Sequence, residues 1–243
     1  MHITISFKPE GVLEIPLHYN HILQGVIYNA IEPKLATFLH DKGFMSSGRS
    51  FKLFTFSRLN GRYEMNREKG SIKFHDEISI TIASPVDEFC NSVANGMLTR
   101  RWLDFGYNRV EAKNMLVRQH MVDKQQIRIR TLSPIVAYST LLRPDGSKYT
   151  CYFQPGEPDY NRLISSNLRK KYEAYYNEEA PAGGIKVKVL GQARMHVMNY
   201  KNTVIKGYYG RLLLTGPKEL LQMAVDAGLG SKSSQGFGCV EVL

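Results

Sequence analysis

The stretch GLGSKSSQGFGCVEV, Gly228 to Val242, decides how the rest of the chain is read. Two glycine-hydrophobic-glycine triplets flank five polar residues, an apolar helical segment precedes them, and strand-like residues follow. A Walker A loop requires Lys after its second glycine and a helix behind it, whereas Phe237 and a strand stand here. A dinucleotide fingerprint runs from strand to helix, and this segment runs from helix to strand. What remains is backbone freedom at Gly228, Gly230, Gly236 and Gly238, with Ser231, Lys232, Ser233, Ser234 and Gln235 between the triplets. Two readings stay open. The loop brings amides close to a phosphate, or it is a tightly packed connection between a helix and the last strand.

Upstream, the pattern alternates between strand and helix periods. HITISF (2–7) alternates as a strand, and Ile22, Leu23, Val26, Ile27, Ala30 and Ile31 recur at helical spacing. Pro33, which lacks an amide donor, interrupts that helix, and residues 34–41 read as a second short one. Residues 43–50 read as a glycine- and serine-rich loop. Strands are expected at 51–58, 62–65, 71–75, 77–83 and 107–118, with a helix from about Pro85 to Arg101. The second half repeats this grammar. QIRIRTLS (126–133) is a strand, 135–140 and 148–153 form a hairpin around Pro144-Asp145-Gly146, and 158–176 is a polar, basic helix. Strands follow at 184–191, 194–198 and 203–214, then a helix opened by Pro217 and ended at Gly228. Each half reads as β-helix-ββ-helix-β, so the expected class is α+β, two tandem ferredoxin-like (RRM-like) domains with antiparallel sheets. The polar QHMVDKQQ places the boundary between residues 122 and 123.

Bulk properties narrow the function. The chain has 243 residues, enough for two such domains, and its 43% hydrophobic content supplies their cores. No 18-residue apolar run exists, so no membrane partner is expected, and MHITISFKPEG lacks the basic and apolar regions of a signal peptide. Cys90, Cys151 and Cys239 are odd in number and dispersed, as expected of reduced thiols in a cytoplasmic protein. Thirty-two Lys and Arg against 22 Asp and Glu give a net charge of +10, the electrostatic footprint of a nucleic-acid binder. No acidic or His/Cys cluster has metal-site spacing. That disfavours a ferredoxin-like enzyme acting on something other than nucleic acid, and no metal or other cofactor is expected.

The terminal G-L-G-x5-G-F-G-C-V resembles the glycine-rich signature of CRISPR-associated RNA-binding proteins of the RAMP superfamily. IPLHYNHILQGVIYNAI (15–31), PKLATFLHDKG (33–43), FKLFTFSRL (51–59), NSVANGMLT (91–99) and RIRTLSPI (128–135) resemble, in order and spacing, its repeat-processing endoribonucleases, the sixth Cas family. The resemblance runs from end to end and implies two tandem ferredoxin-like domains. It also implies metal-independent cleavage within the repeats of a CRISPR transcript, with repeat RNA as partner. Effector-complex proteins and a second copy of the chain stay open as further partners. A related RNA-binding subunit without catalytic activity is the alternative. In the family a Tyr, a His and a Lys form the site. The matching positions are Tyr28 in GVIYNAI, His40 in ATFLH and Lys52 before LFT.

The implied chemistry suits these residue types. The RNA 2′-hydroxyl attacks the adjacent phosphate, leaving a 2′,3′-cyclic phosphate and a 5′-hydroxyl. The protein must accept one proton, donate another and hold the phosphorane charge. Imidazole, with a reference pKa of about 6.5, serves either proton role near neutrality. His40 is therefore the principal acid or base, its direction open. Lys52 holds the developing charge, and Tyr28 is either the base or an orienting group. Tyr28 and His40 are 12 residues apart, about 18 Å along a straight helix, so they converge only if the chain turns near Pro33. His18 and His21, at the same helix start, rank second as candidates. RNA phosphates further require a basic surface. Its candidates are Arg128, Arg130, Arg169, Lys170, Lys186, Lys188, Arg194 and Lys232, with Gly228, Gly230, Gly236 and Gly238 of the loop.

Overall fold

The structure is a computed structural model that describes residues 1–201 and 203–243. In chain order, its first half contains β1 (His2–Pro9), β2 (Leu13–Pro16), α1 (Asn20–Ala30), α2 (Pro33–Thr37), a π-helical turn (Phe38–Lys42), β3 (Phe44–Ser46) and β4 (Arg49–Phe51). It continues through β5 (Thr55–Phe56), β6 (Tyr63–Asn66), β7 (Ser71–Phe74), β8 (Ile78–Ala83), α3 (Asp87–Leu98), β9 (Leu103–Phe105) and β10 (Asn108–Arg118). The second half contains β11 (Gln126–Thr131), β12 (Ala137–Leu142), β13 (Lys148–Phe153), α4 (Pro158–Tyr176), β14 (Lys186–Tyr200), β15 (Thr203–Thr215), α5 (Lys218–Ala227) and β16 (Val240–Val242).

The two main sheets share one topology. The first has the order β5-β8-β1-β10, with β9 added beyond β10, and the second has β14-β15-β11-β16. Counting only the four strands of each β-helix-ββ-helix-β unit, both orders read 2-3-1-4, and the pairings are antiparallel. This is the ferredoxin-like arrangement, present twice. In the first half Ile3, Ile5 and Phe7 of β1 and Ile78, Ile80 and Ile82 of β8 alternate into a core shared with Leu23 and Ile27 of α1 and Phe89 and Val93 of α3. In the second, Ile127 and Ile129 of β11 and Leu212 and Leu214 of β15 meet Ile164 and Leu168 of α4 and Leu220 and Leu221 of α5. Each sheet thus buries one face under two helices and leaves the other open.

Three local expectations change. Residues 43–50 are not a plain loop: β3 and β4 pair as a hairpin, with Ser47 and Gly48 both at positive φ (47° and 71°) in the two-residue turn. The expected strand 51–58 is broken, because Leu53 adopts φ 52°. That kink sends consecutive residues to different cores, Leu53 into the second and Phe54 into the first. Residues 186–200 form one long strand with a register shift between Leu190 and Arg194, where separate strands were expected.

Candidate active site

The cleft is built on the polar shoulder of α1. His21, Gln24, Gly25 and Tyr28 stand at i, i+3, i+4 and i+7 and share one helix face. Ile31 and Glu32 are extended, and Pro33 starts α2 at its first turn, so the chain reverses there as Pro33 requires. The π-helical turn then presents His40, and Gly43 N–H donates to the Phe38 carbonyl 2.7 Å away to close it. The β3–β4 hairpin returns the chain, and Lys52 follows it immediately before the Leu53 kink. Tyr28, His40 and Lys52 therefore line one open cleft of about 430 Å³, together with His21, Gln24 and Tyr200.

Each group has a distinct setting. Burial, helped by nearby Tyr200, raises the Tyr28 phenol to about 12, so it stays a neutral hydroxyl through the physiological range. Its ring meets Phe54 edge-on at 5.9 Å. His40 is solvent-exposed, and its Nδ1 lies 2.7 Å from Asp41 Oδ1. Lys52 Nζ donates to the His40 carbonyl at 3.0 Å and to Ser50 Oγ at 3.3 Å. Partial burial lowers its pKa, and Asp41 opposes that shift. Lys52 is thereby tied to the turn that carries His40.

The glycine segment forms the back wall of this cleft. Asn20 Nδ2 donates to the Gln235 carbonyl (2.8 Å), and Gln24 Nε2 donates to the Ser234 carbonyl (2.7 Å). Gln24 also accepts from Tyr200 Oη at the end of β14. All four loop glycines are buried. At Gly236, φ is 84° and a Cβ would press into the Phe56 ring and lie 2.6 Å from Asn20 Nδ2. Gly238 N–H donates to Pro134 O, and Leu229 N–H donates to Gly238 O, both at 2.8 Å. Of the two readings of the loop, these contacts favour packing. The loop that was remote in sequence from Tyr28 is its neighbour in space.

Lys171, on the basic helix α4, stands behind the loop. It is 3% exposed and donates from Nζ to the carbonyls of Gly228 (2.7 Å), Ala227 (3.0 Å) and Gly230 (3.1 Å) and to Ser233 Oγ (2.8 Å). Burial pulls its pKa down to about 7, while carbonyls that only accept favour its three-proton form.

The basic candidates divide between two places. Lys188, Leu213 and Arg128 are directly paired across the second sheet, as are Leu190, Arg211, Arg130 and Glu241. Arg128, Arg130, Lys186, Lys188 and the unanticipated Arg211 therefore occupy its open face, away from the helices. Arg130 Nε donates to Glu241 at 3.0 Å, and both residues border a groove of about 600 Å³ with Arg58 and Arg118. Arg194 is exposed on β14 beyond the register shift. Arg169 and Lys170 lie on α4 instead. Arg169 donates to the carbonyls of Pro181, Ala180 and Gly183 and so fastens the segment after α4. Lys232 sits at φ 63° with its ammonium 5.2 Å from the Tyr138 ring.

Comparison with known proteins now adds to this geometry. The model of CRISPR associated protein Cas6, C-terminal, matches residues 116–242, and that of the Cas6 N-terminal region matches 14–119. The chain belongs to the Cas6 family. A Cas6 relative from Methanocaldococcus jannaschii, described as a CRISPR-associated endoribonuclease, is 29% identical over 247 residues, covering 99% of this chain and 92% of the relative. A Cas6 endoribonuclease from Pyrococcus furiosus is 26% identical, with coverage of 100% and 90%. A solved CRISPR associated protein Cas6 superposes with a TM-score of 0.81 at 27% identity, over 100% of this chain and 99% of that one. An RAMP protein described as binding different RNA substrates shares the fold at a TM-score of 0.83 and 21% identity, with coverage of 100% and 99%. Among the described residues no helix is long and apolar enough to cross a membrane.

Proposed function

We propose that this Cas6 protein is a metal-independent endoribonuclease that cleaves CRISPR precursor transcripts within their repeats. The observation that carries the reading is the convergence of Tyr28, His40 and Lys52 in one cleft, although α1, a π-helical turn and a hairpin separate them along the chain. In this reading the 2′-oxygen attacks phosphorus, and the products are a 2′,3′-cyclic phosphate and a 5′-hydroxyl. His40 is the principal proton-transfer group. Lys52 supplies the positive charge for the phosphorane. Tyr28, a hydroxyl that does not ionise near neutrality, donates a hydrogen bond and orients the sugar-phosphate. The open basic face of the second sheet holds RNA phosphates, and residues 1–122 and 123–243 act as the catalytic and the RNA-holding domain.

The test is incubation of the protein with repeat RNA in EDTA, alongside His40→Ala and an RNA with 2′-deoxy substitution at the cleavage site. Expected is cleavage by the wild type alone, on the unmodified RNA alone, with a cyclic phosphate at the new 3′ end. A 3′-hydroxyl product, or dependence on added divalent metal, overturns the mechanism. Tight binding without cleavage supports instead an RNA-holding subunit.

A further inference from the structure

The cleft holds a second imidazole. His21 lies seven residues before Tyr28, on the same face of α1, and lines the cleft with His40. Its Nδ1 is 3.1 Å from the His18 carbonyl oxygen. A carbonyl only accepts, so Nδ1 carries the proton, and the neutral ring presents Nε2 as a bare acceptor. His40 is held in the same manner, by Nδ1 against the Asp41 carboxylate, which leaves its Nε2 for substrate. Two rings on different elements are thus both fixed through Nδ1.

The reaction needs two proton transfers, one at the attacking oxygen and one at the leaving oxygen, on opposite sides of phosphorus. The Tyr28 phenol, raised to about 12 by burial, does not supply the base. Among the described residues, Lys52 and Lys201 are the other charged groups lining the cleft, and both are cations suited to phosphate. We propose that His21 is a second catalytic residue, working as the proton acceptor opposite His40 as the proton donor. This rests on the endoribonuclease reading.

In the step, the 2′-hydroxyl proton passes to His21 Nε2 as the 2′-oxygen bonds to phosphorus. The phosphorus–5′-oxygen bond then breaks, its electron pair stays on oxygen, and His40 Nε2–H protonates it. His21 ends protonated and His40 neutral, and exchange with water restores both. The assignment of direction follows the orienting partners. A carboxylate suits the ring that begins as a cation, and a neutral carbonyl suits the ring that begins with a free lone pair.

The experiment measures single-turnover cleavage of repeat RNA at saturating protein, for wild type, His21→Ala and His40→Ala. It uses natural RNA and RNA whose leaving 5′-oxygen is replaced by sulfur, a leaving group that needs no proton. His21 is exposed, so its truncation does not open the core. Expected for His21→Ala is a rate loss of about 10²-fold or more, with RNA affinity within twofold of wild type, loss of the acidic limb of the pH–rate profile, and partial rescue by added imidazole. The 5′-sulfur RNA should restore His40→Ala and not His21→Ala. If His21→Ala cleaves at the wild-type rate, loses affinity alone, or is itself restored by the 5′-sulfur RNA, the proposal falls. If the wild type cleaves no repeat RNA under any condition, the endoribonuclease reading falls and takes this one with it.

Discussion

The two halves have one strand order and two uses for it. In the first, the connection between the first helix and the second strand of the unit is long, from Ile31 to Phe54, and folds back so that His40 and Lys52 face α1. In the second, the corresponding connection, from Asn177 to Ile185, is short and is fastened to α4 by Arg169. The equivalent helices accordingly treat their polar residues differently. α1 leaves His21 and Tyr28 facing a cleft, whereas α4 spends Lys171 on three carbonyls and a hydroxyl of the glycine loop. Among the described residues, His21, His40 and Tyr28 each keep a polar atom without a protein partner, whereas the Lys171 ammonium is fully engaged.

The largest test of that contrast is His40→Ala. Removing the proposed proton-transfer group should lower the single-turnover rate about 10²–10⁴-fold, with unchanged thermal stability, because His40 is exposed and outside the core. The reciprocal substitution, Lys171→Met, should act on folding. It leaves the carbonyls of Ala227, Gly228 and Gly230 without their donor in a buried site, a cost of about 3 kcal/mol by urea titration. A Lys171→Met protein of wild-type stability would mean that the loop holds itself without the ammonium, and the contrast between the helices would collapse.

An acid titration sharpens where the halves depend on each other. His2 of β1 is buried and donates from Nε2 to the Val225 carbonyl of α5, joining the first sheet to the second half. Burial, with a smaller contribution from His120, lowers its pKa from 6.5 to about 4. Between those values the unfolded chain binds a proton that the folded chain refuses, so stability falls as pH drops from about 6.5 toward 4. The loss should reach about 2–3 kcal/mol at the acid end and should be absent in His2→Gln. Unchanged wild-type stability between pH 7 and 4.5 would show that this contact is not strained by protonation.

Much of the fold was legible because both periods were unmixed. The alternation of residues 2–7, the expected strand 126–133 and the stripe of Leu23, Val26 and Ile27 correspond to β1, to β11, which ends at Thr131, and to α1, and the polar helix 158–176 has those bounds in the structure. The kink at Leu53 was not legible. A leucine at positive φ violates local preference and is sustained by burying Leu53 and Phe54 in two different cores, which no single-strand pattern encodes. The β3–β4 hairpin was missed because Ser47-Gly48 serves a turn as well as a loop. The members of the candidate site came from resemblance, since periodicity alone assigns Tyr28 and His40 to ordinary helix positions. Lys171 was hidden for a similar reason: beside Arg169 and Lys170 it reads as a solvated charge, and only the carbonyls facing it, contributed from residues 227–230, distinguish it.

The smallest expected effect tests whether the open face of the second sheet holds RNA without taking part in the chemistry. Arg128 and Lys188 flank Leu213 in one cross-strand row there, on the face opposite the helices, and neither lines the cleft. Each is exposed, so replacing either with Ala leaves the core intact. A phosphate contact is electrostatic and salt-sensitive, so each substitution should weaken repeat-RNA binding a few-fold and reduce the slope of log affinity against log salt by about one. The cleavage rate at saturating protein should not change, because the proposed mechanism assigns the chemistry to His40 and Lys52 and not to this face. A rate loss that persists at saturation would mean that this face sets the path of the strand into the cleft, and the two halves would then share one task.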